Sequence, residues 1–341
     1  MMIAGHKKQW NFLSKEFELD QLAHAYLFSG EEKIGKRTLA KEFIKLINCL
    51  SVRSSQAKND KDENEKPRLR QGYGGQACGI CKNCKDIENE NYLDVLTVNL
   101  KDDKQEIEIS QIREALNFLS YKSYYGGFKS VIINNSERMT IEAQNCFLKT
   151  LEEPKGKTIL ILVSSHPEIL LSTIISRCQI IKFYSVDQKE IESYLIKIGA
   201  KEKIAHTLAS FCSHNPGKAV DLFFNPEILE REQKTLQELI KVINSDLAEK
   251  FQYAKKVNLE GNNLKRILEI LQRYLRHLLF LKTGIVSLTP KDYLLESTSS
   301  FKNYSISKIK EVLKLLETLN TQTSLTNASP KLALEILLME M

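Results

Sequence analysis

The sequence predicts an α/β module followed by an all-α C-terminal part, and three observations support this fold class. Short apolar runs alternate with helical patterns up to about residue 185. A glycine-containing loop at 30–36 lies between the first apolar run and a helix, which is the position of a P-loop. After residue 185 the strand signal stops. Alternating strands and helices are typical of a parallel sheet with helices on both faces.

Four apolar runs are predicted to form the strands of the sheet. Continuous apolar runs are typical of central strands that are buried on both faces. These runs cover 25–28, 93–98, 130–134 and 158–163. Helices are predicted between them at 38–50, at 110–120 with Ser110 as the N-cap, and at 141–151.

The chain beyond the α/β module, which we place at 1–185, is predicted to form two helical domains, at 186–225 and 226–341. The helical segments are 188–198, 202–212, 216–223, 226–244, 264–282, 305–319 and 330–339. The segment 264–282 carries an apolar stripe typical of a core or subunit-interface helix, made of Ile267, Leu268, Leu271, Leu275, Leu278 and Leu279. Its basic residues are expected to be solvated, with DNA contact as the alternative; they are Lys265, Arg266, Arg273 and Arg276.

The composition is that of an ordinary globular protein, with 42% apolar and 27% charged residues among 341. The net charge of +6 permits contact with nucleic acid but favours a mixed, solvated surface. No apolar stretch approaches the roughly 20 residues that span a bilayer, and no signal-peptide core follows the N-terminus, so we expect a cytoplasmic protein without membrane contact. The polar segment 50–77 lacks apolar anchors and is predicted to be a disordered insertion.

Residues 30–36 match the GxxxxGK pattern of a phosphate-binding loop. Gly30 and Gly35 would let backbone N–H groups wrap phosphates, and Lys36 would neutralise their charge at a helix N-terminus. The next residue should carry a hydroxyl for Mg²⁺, but it is Arg37, and Thr38 stands one position late. Binding of ATP or ADP is therefore left open, and the alternative is a glycine turn that only begins a helix.

The strand at 130–134 ends in Asn134 and Asn135, where a magnesium-dependent ATPase needs acids. A neutral amide is a poor Mg²⁺ ligand and cannot accept a proton from the attacking water. We therefore expect this chain to bind no Mg²⁺ and to hydrolyse no ATP.

Three of the seven cysteines form a tight cluster. Cys78, Cys81 and Cys84 give two overlapping CxxC steps, which can bring thiolates onto one tetrahedral Zn²⁺. A fourth ligand is needed, and Cys49 is the candidate; four thiolates leave no open position, so a structural site is expected. The alternative is reduced cysteines without metal. The isolated cysteines are interpreted as core or interface residues; they are Cys146, Cys178 and Cys212.

Four stretches of the sequence carry a family resemblance: 24–30 (HAYLFSG), 131–135 (VIINN), 143–154 (AQNCFLKTLEEP) and 176–178 (SRC). They resemble bacterial DNA polymerase III clamp-loader subunits of the AAA+ family, and most of all the delta-prime type. The resemblance is strong over the first 185 residues and weaker beyond. There, residues 327–335 are similar to the family's last collar helix.

The resemblance implies a fold and a set of partners. The fold is an AAA+ module with an inserted zinc-binding segment, here 49–84, followed by a helical lid (186–225) and a helical collar (226–341). The partners are the gamma/tau and delta subunits of a five-subunit ring, which opens a sliding clamp and loads it onto primed DNA. Any polymerisation belongs to the DNA-directed DNA polymerase holoenzyme, not to this chain.

The resemblance also implies roles for single residues. Arg177 of the Ser-Arg-Cys motif corresponds to an arginine that reaches a neighbouring subunit's ATP; the alternative is an arginine that pairs with an acid at a helix end. Ser164 and Ser165 stand at the sensor-1 position, and Lys218 at the sensor-2 position; ordinary capping and surface roles are the alternative for these residues. Cys49 resembles the first cysteine of the family's zinc module, although 28 residues separate it from Cys78.

Together these features predict a non-catalytic, delta-prime-like clamp-loader subunit that supplies an arginine finger. One alternative is an active ATPase motor of the gamma/tau type, against which Arg37, Asn134 and Asn135 argue. Another is a zinc-dependent nucleic-acid-binding module.

Overall fold

The computed structural model describes residues 4–50, 75–101, 104–212, 214–257, 263–283, 304–325 and 329–341. The described residues fall into two units, one within Met1–Ile198 and His214–Lys218, the other within Gly199–Ser213 and Ala219–Met341. The predicted lid at 186–225 contributes residues to both units, and the predicted limits at 185 and 225 stay predictions. The predicted insertion at 50–77 lies outside the described residues except at its two ends.

The first unit contains a parallel sheet with the order β2-β3-β4-β1-β5. Its strands are β1 (Ala25–Ser29), β2 (Val95–Val98), β3 (Lys129–Ile133), β4 (Thr158–Ser164) and β5 (Gln179–Lys182). The four predicted strands are confirmed. The fifth was not predicted, because β5 is a short edge strand in which polar residues flank Ile180 and Ile181, and Ile180 is exposed.

The register brings three loops to one edge of the sheet. Ser29 at the end of β1 pairs with Ser164 at the end of β4, and Ile133 at the end of β3 pairs with Leu162. The loops that follow β1, β3 and β4 therefore begin side by side. In open α/β sheets this carboxyl edge is where ligands bind.

Alternate residues of the strands point to opposite faces, and each face is covered by helices. On one face, Tyr26 and Phe28 share a core cluster with Phe43 of the helix Lys36–Asn48; on the other, Leu27 shares one with Phe147 of the helix Ile141–Glu152. The helices of this unit are α1 (Lys7–Glu18), α2 (Lys36–Asn48), α3 (Lys82–Glu88), α4 (Ile109–Ser120), α5 (Ile141–Glu152), α6 (Ser172–Ile175) and α7 (Gln188–Lys197).

The predicted N-cap of α4 was wrong by two residues. The helix begins at Ile109, with Glu108 as its N-cap rather than Ser110. The backbone N–H of Glu108 donates to Gln111 Oε1 at 3.3 Å, which is half of a capping box.

The second unit is helical, as predicted. Its helices are α8 (Glu202–Phe211), α9 (Pro216–Phe224, whose first three residues belong to the first unit), α10 (Pro226–Ile243), α11 (Leu247–Lys256), α12 (Asn263–Lys282), α13 (Ile306–Leu325) and α14 (Pro330–Glu340). The predicted stripe of α12 lies in the core with α10, α13 and α14, and only Leu279 is partly exposed. Helix α11 was not predicted. Within the described residues, no helix is long and apolar enough to cross a bilayer.

Candidate functional site

The loop at 30–35 joins β1 to α2, and both of its glycines have a local steric reason. A Cβ on Gly30 would lie 2.6 Å from the carbonyl oxygen of Phe183, a separation that real Cβ atoms do not adopt. Gly35 precedes α2 with φ of 109°, a conformation that L side chains rarely adopt. The strand, loop and helix are therefore arranged as a P-loop requires.

Lys36, the first residue of α2, is buried and turned back onto its own loop. Its ammonium donates to the carbonyl oxygens of Gly30 and Glu31, the latter at 2.7 Å, and to Ser165 Oγ at 3.1 Å. Burial lowers the pKa of Lys36 to about 8, although nearby carboxylates, chiefly that of Glu137, act in the opposite direction. The direct partners of this buried cation are neutral oxygens, so an anion such as phosphate would stabilise its charge.

The loop is also fixed from outside, through its carbonyl groups. His6 Nε2 donates to the carbonyl of Ile34 at 2.8 Å. Asn215 Nδ2 donates to the carbonyl of Glu32 at 2.7 Å, and the N–H of Gly217 donates to that of Lys33 at 2.9 Å. The segment 214–218, which contains the predicted sensor-2 residue Lys218, therefore lies against the phosphate loop.

The two residues after Lys36 are both exposed. Arg37 Nη2 pairs with Glu90 Oε1 at 3.0 Å, and both side chains are about half exposed. Thr38 is exposed on α2. Neither side chain takes the place of the Mg²⁺-binding hydroxyl of a P-loop ATPase.

Asn134 and Asn135 follow β3 at the carboxyl edge, as predicted. Asn134 is buried, and its Nδ2 donates to Asn99 Oδ1 at 2.7 Å. Its Oδ1 is buried and has no hydrogen-bond partner among the described residues. Asn135 has φ of 51° and begins the 3₁₀ turn Ser136–Arg138. This edge of β3 therefore carries amides where hydrolysis would need carboxylates.

Sequence reasoning missed one acid at this edge, Glu137 in the turn after β3. Its side chain is buried, and Oε1 accepts a hydrogen bond from the N–H of Ser165 at 3.3 Å. Its Oε2 has no hydrogen-bond partner in the described part of the chain. Its carboxylate acts to raise the pKa of Lys36. Glu137 and Lys36 both contact Ser165, Glu137 through the N–H and Lys36 through Oγ. The only sequence signal was its position, four residues beyond Ile133, outside the usual spacing for a catalytic acid.

Arg177 follows the short helix α6, and its guanidinium is bonded within this chain. Its Nη1 donates to the carbonyl of Thr173 at 3.0 Å, and its Nη2 donates to Glu152 Oε1 at 2.7 Å. Glu152 is the last residue of α5. Within this chain, Arg177 therefore forms the contact that we gave as the alternative to an arginine finger, an ion pair with an acid at a helix end. The Arg177 side chain is still 36% exposed and that of Glu152 is 53% exposed, so a neighbouring molecule could reach the pair.

The four predicted zinc ligands come together. The sulfur atoms of Cys49, Cys78, Cys81 and Cys84 all lie within 4.8 Å of one another. The Sγ atoms of Cys49 and Cys81 are 4.0 Å apart, and so are those of Cys78 and Cys84. A tetrahedral site with Zn–S bonds of about 2.3 Å requires sulfur separations of about 3.8 Å. The donor set and its geometry therefore fit Zn²⁺.

Backbone donors support the same interpretation of the cysteine cluster. The N–H of Cys78 donates to Cys49 Sγ, and the N–H of Cys81 donates to Cys78 Sγ, both at 3.4 Å. Such bonds favour a negatively charged sulfur. Without metal, the hydrogen bond with Cys49 and burial both raise the pKa of the Cys84 thiol. A bound cation would oppose this effect, because metal binding displaces the thiol protons.

The cysteine cluster is tied to α2 by buried polar contacts. Lys45 of α2 donates to Glu42 at 2.8 Å and to Glu88 of α3. Asn83 Nδ2 donates to the carbonyl of Asn48 at 2.8 Å. Helix α2 therefore runs from the phosphate loop at one end to Cys49 at the other.

The remaining candidate residues have structural surroundings. Cys178 and Cys212 are buried, Cys146 is partly buried, and none of the seven cysteines forms a disulfide. On α12, Arg273 Nη2 pairs with Glu232 at 2.7 Å and its guanidinium lies 4.5 Å from the ring centre of Phe211. This basic residue is engaged within its own unit.

A family model described as DNA polymerase III, delta subunit, matches residues 5–187, which is more than half of the chain. This chain belongs to that clamp-loader family. The strand order of the sheet and the helical C-terminal part agree with the AAA+ architecture expected of a clamp-loader subunit.

Several relatives carry clamp-loader names. The chain is 33% identical over 225 residues to the DNA polymerase III subunit delta' of Bacillus subtilis, a match that covers 66% of this chain and 61% of the relative. It is 34% identical to the delta' subunit of Pseudomonas aeruginosa over 46% of this chain and 42% of the relative. It is 30% identical to the tau/gamma subunit of Haemophilus influenzae over 59% of this chain and 26% of the relative. In each comparison the match spans less than two thirds of the clamp-loader relative.

Proposed function

We propose that this clamp-loader family member is a non-catalytic, delta-prime-like subunit. It would join gamma/tau and delta subunits in a five-subunit ring that loads a sliding clamp onto primed DNA. Its contribution would be an arginine finger, Arg177, directed at the ATP of a neighbouring subunit. The relatives named delta' and the chemistry of the phosphate-loop edge both support this proposal.

The observation that carries the proposal is the amide pair at the end of β3. Asn134 and Asn135 stand at the carboxyl edge beside the phosphate loop, and Asn134 donates to Asn99 rather than offering a charged ligand. Arg37 removes the hydroxyl that would complete a Mg²⁺ site. Without the metal ligand, and with amides at the two positions where acids would stand, this loop lacks the groups that usually promote hydrolysis.

The arginine-finger role is supported by the chemistry and exposure of Arg177. A planar guanidinium can stabilise the charge that develops on a γ-phosphate, and a finger supplied in trans raises hydrolysis by about 10³–10⁵ in GTPases. The partial exposure of Arg177 would permit this contact across a subunit boundary.

Assembly is supported by an apolar face on the last helix. Leu332, Ile336 and Met339 of α14 are exposed at spacings of four and three residues, which places them on one side of the helix. The other side is buried in the core of the second unit, through Ala333, Leu334, Leu337 and Leu338. Among the described residues, this stripe is exposed, and an exposed apolar stripe is typical of a surface that binds another subunit.

The cysteine cluster would hold a structural Zn²⁺ with Cys49, Cys78, Cys81 and Cys84 as ligands. Four thiolates would complete the coordination shell, so the metal would stabilise the fold and take no part in catalysis. ATP or ADP could bind at Gly30, Gly35 and Lys36 without being hydrolysed.

A second function, an ATPase motor of the gamma/tau type, is favoured by two observations. Lys36 is retained, and Glu137 places one buried carboxylate at the same edge. The isolated chain distinguishes the two functions. We expect no ATP turnover above background in a steady-state assay, and turnover that Lys36→Ala abolishes would establish the motor function instead.

The finger is tested in the reconstituted loader, with ATPase partner subunits from the same source. Arg177→Ala is expected to lower single-turnover hydrolysis at the adjoining site by on the order of 10³-fold, because the transition-state charge loses its cation. Arg113→Ala, at an exposed position on α4, is the control and should leave the rate unchanged. An unaltered rate with Arg177→Ala would reject the finger assignment.

A further inference from the structure

Arg177 forms an ion pair with Glu152 of the same chain, whereas the proposed function needs its guanidinium at the ATP of a neighbouring subunit. We infer that Glu152 is a positioning residue that restrains Arg177 on its own subunit until a neighbour's phosphate competes for it. This inference rests on the proposed arginine-finger function and concerns the regulation of that finger.

Both terminal nitrogens of Arg177 are engaged within the subunit. Nη2 meets Glu152 Oε1 at 2.7 Å, and Nη1 meets the carbonyl of Thr173 at 3.0 Å. Arginine binds phosphate best with two parallel N–H donors. A phosphate that approaches these two N–H groups has to compete with both partners, and Glu152 is the charged one.

Rigid elements set the geometry of the pair. The carbonyl of Leu151, one residue before Glu152, accepts a hydrogen bond from His24 at 2.9 Å, which fixes the end of α5 beside β1. Gln144 of α5 accepts from the N–H of Leu171 at 2.8 Å, which fixes the start of α6. The separation of Glu152 and Arg177 therefore follows from the packing of α5 against α6.

The position of Glu152 is itself unusual for an acid. It is the last residue of α5, where the helix dipole disfavours negative charge and favours a cation. The guanidinium of Arg177 supplies that cation. The carboxylate and the end of the helix thus attract Arg177 together.

The restraint is weak enough to be reversible. Both side chains are more than one third exposed, and exposed ion pairs of this kind contribute only a small free energy. They shift an equilibrium by roughly fivefold at most. A γ-phosphate, with more charge and several acceptor oxygens, would displace Glu152.

The test uses the reconstituted loader and four variants of this chain. Glu152→Gln should raise basal ATP hydrolysis, without clamp or DNA, by about two- to fivefold, because Arg177 is released. Glu153→Gln is the matched control: Glu153 is exposed, lies next in the chain, and has no ion pair within the described residues. Arg177→Ala and the double variant Glu152→Gln/Arg177→Ala complete a double-mutant cycle.

The outcomes separate this inference from the proposed function. If Arg177→Ala does not lower hydrolysis, the finger itself is wrong. If it does, and Glu152→Gln matches Glu153→Gln or reduces hydrolysis, only the restraint is wrong. A rise with Glu152→Gln that persists beside Arg177→Ala would show that Glu152 acts through general structure, which also overturns the inference. A rise that disappears in the double variant supports it.

Discussion

The two ends of helix α2 carry two candidate ligand sites that differ in the chemical groups they contain. At the N-terminal end, the phosphate loop keeps Gly30, Gly35 and Lys36, while amides and an arginine stand where metal ligands would be needed. At the C-terminal end, Cys49 meets three other cysteines in a complete tetrahedral donor set. The same helix therefore joins a loop of the P-loop type that lacks magnesium ligands to a cysteine cluster whose geometry fits zinc.

The phosphate loop and the cysteine cluster differ in whether their structure depends on a ligand. The framework of the phosphate loop is fixed by contacts to Phe183, Asn215 and Gly217, none of which involves nucleotide. The conformation of this loop therefore does not depend on a bound metal ion. The cysteine cluster differs, because its four thiols, two of them buried and two partly buried, face one another and a cation would be their common partner.

Removing metal from the cysteine cluster is expected to have the largest effect. Structural zinc supplies on the order of 10 kcal/mol of apparent binding free energy in zinc-finger peptides. Cys84→Ser should reduce the zinc content from about one atom per chain to near zero, as measured by metal analysis. Amide hydrogen exchange in α3 and at the end of α2 should accelerate.

Cys146→Ser is the control for this experiment, because Cys146 lies outside the cluster and is only partly buried. It should leave the zinc content unchanged. Wild-type protein that retains its fold and exchange protection with no zinc bound would contradict the metal site.

The phosphate-loop end should respond to pH through Lys36. Its folded pKa of about 8 lies below the ordinary value of 10.5, so the unfolded chain holds more protons between those values. Stability from this residue therefore increases as pH rises from about 8 to 10.5, by on the order of 3 kcal/mol. In Lys36→Met, that increase should be missing.

The quantity to measure is the difference in unfolding free energy between wild type and Lys36→Met, from denaturant titrations at several pH values. Subtraction removes the other groups that titrate in this range. Lys8→Met, at an exposed position, should give a difference that does not vary with pH. A constant difference for Lys36→Met would show that its ammonium is not buried as described.

Returning one acid to the end of β3 gives the smallest expected effect. Asn134→Asp replaces the bond to Asn99 Oδ1 with two facing acceptors and adds charge near Glu137, so stability should fall by about 1–3 kcal/mol. Mg²⁺ should recover part of this loss, because a carboxylate is the ligand it prefers. Thermal unfolding with and without Mg²⁺ measures both changes, and the wild type should show no response to Mg²⁺.

Much of the fold could be predicted because its signals are local. Buried runs such as Ile159–Val163 predict central strands, since both faces of such strands are covered. The edge strand β5 escaped prediction, since an edge is half solvated and needs no continuous apolar run. The N-cap of α4 was misplaced because Ser110 and Glu108 both precede the same apolar pattern.

The candidate site was predicted less completely, because contacts between distant residues leave no local signal. The cysteine spacing predicted its cluster, and the neutral residues after β3 were evident from the sequence. The pairing of β3 and β4 sets two of these contacts, the bond from Lys36 to Ser165 and the bond from Ser165 to the buried Glu137. The Arg177–Glu152 pair joins residues 25 positions apart and required the packing of α5 against α6.

Gly30 has a consequence for how phosphate-loop motifs are interpreted in other proteins. The carbonyl of Phe183 excludes any side chain at this position whether or not a nucleotide is present. Folding alone therefore requires a glycine at this position, whether or not the loop turns over ATP. A glycine pattern of this kind can reflect steric fit alone, and acids after the third strand are the better indicator of an active ATPase.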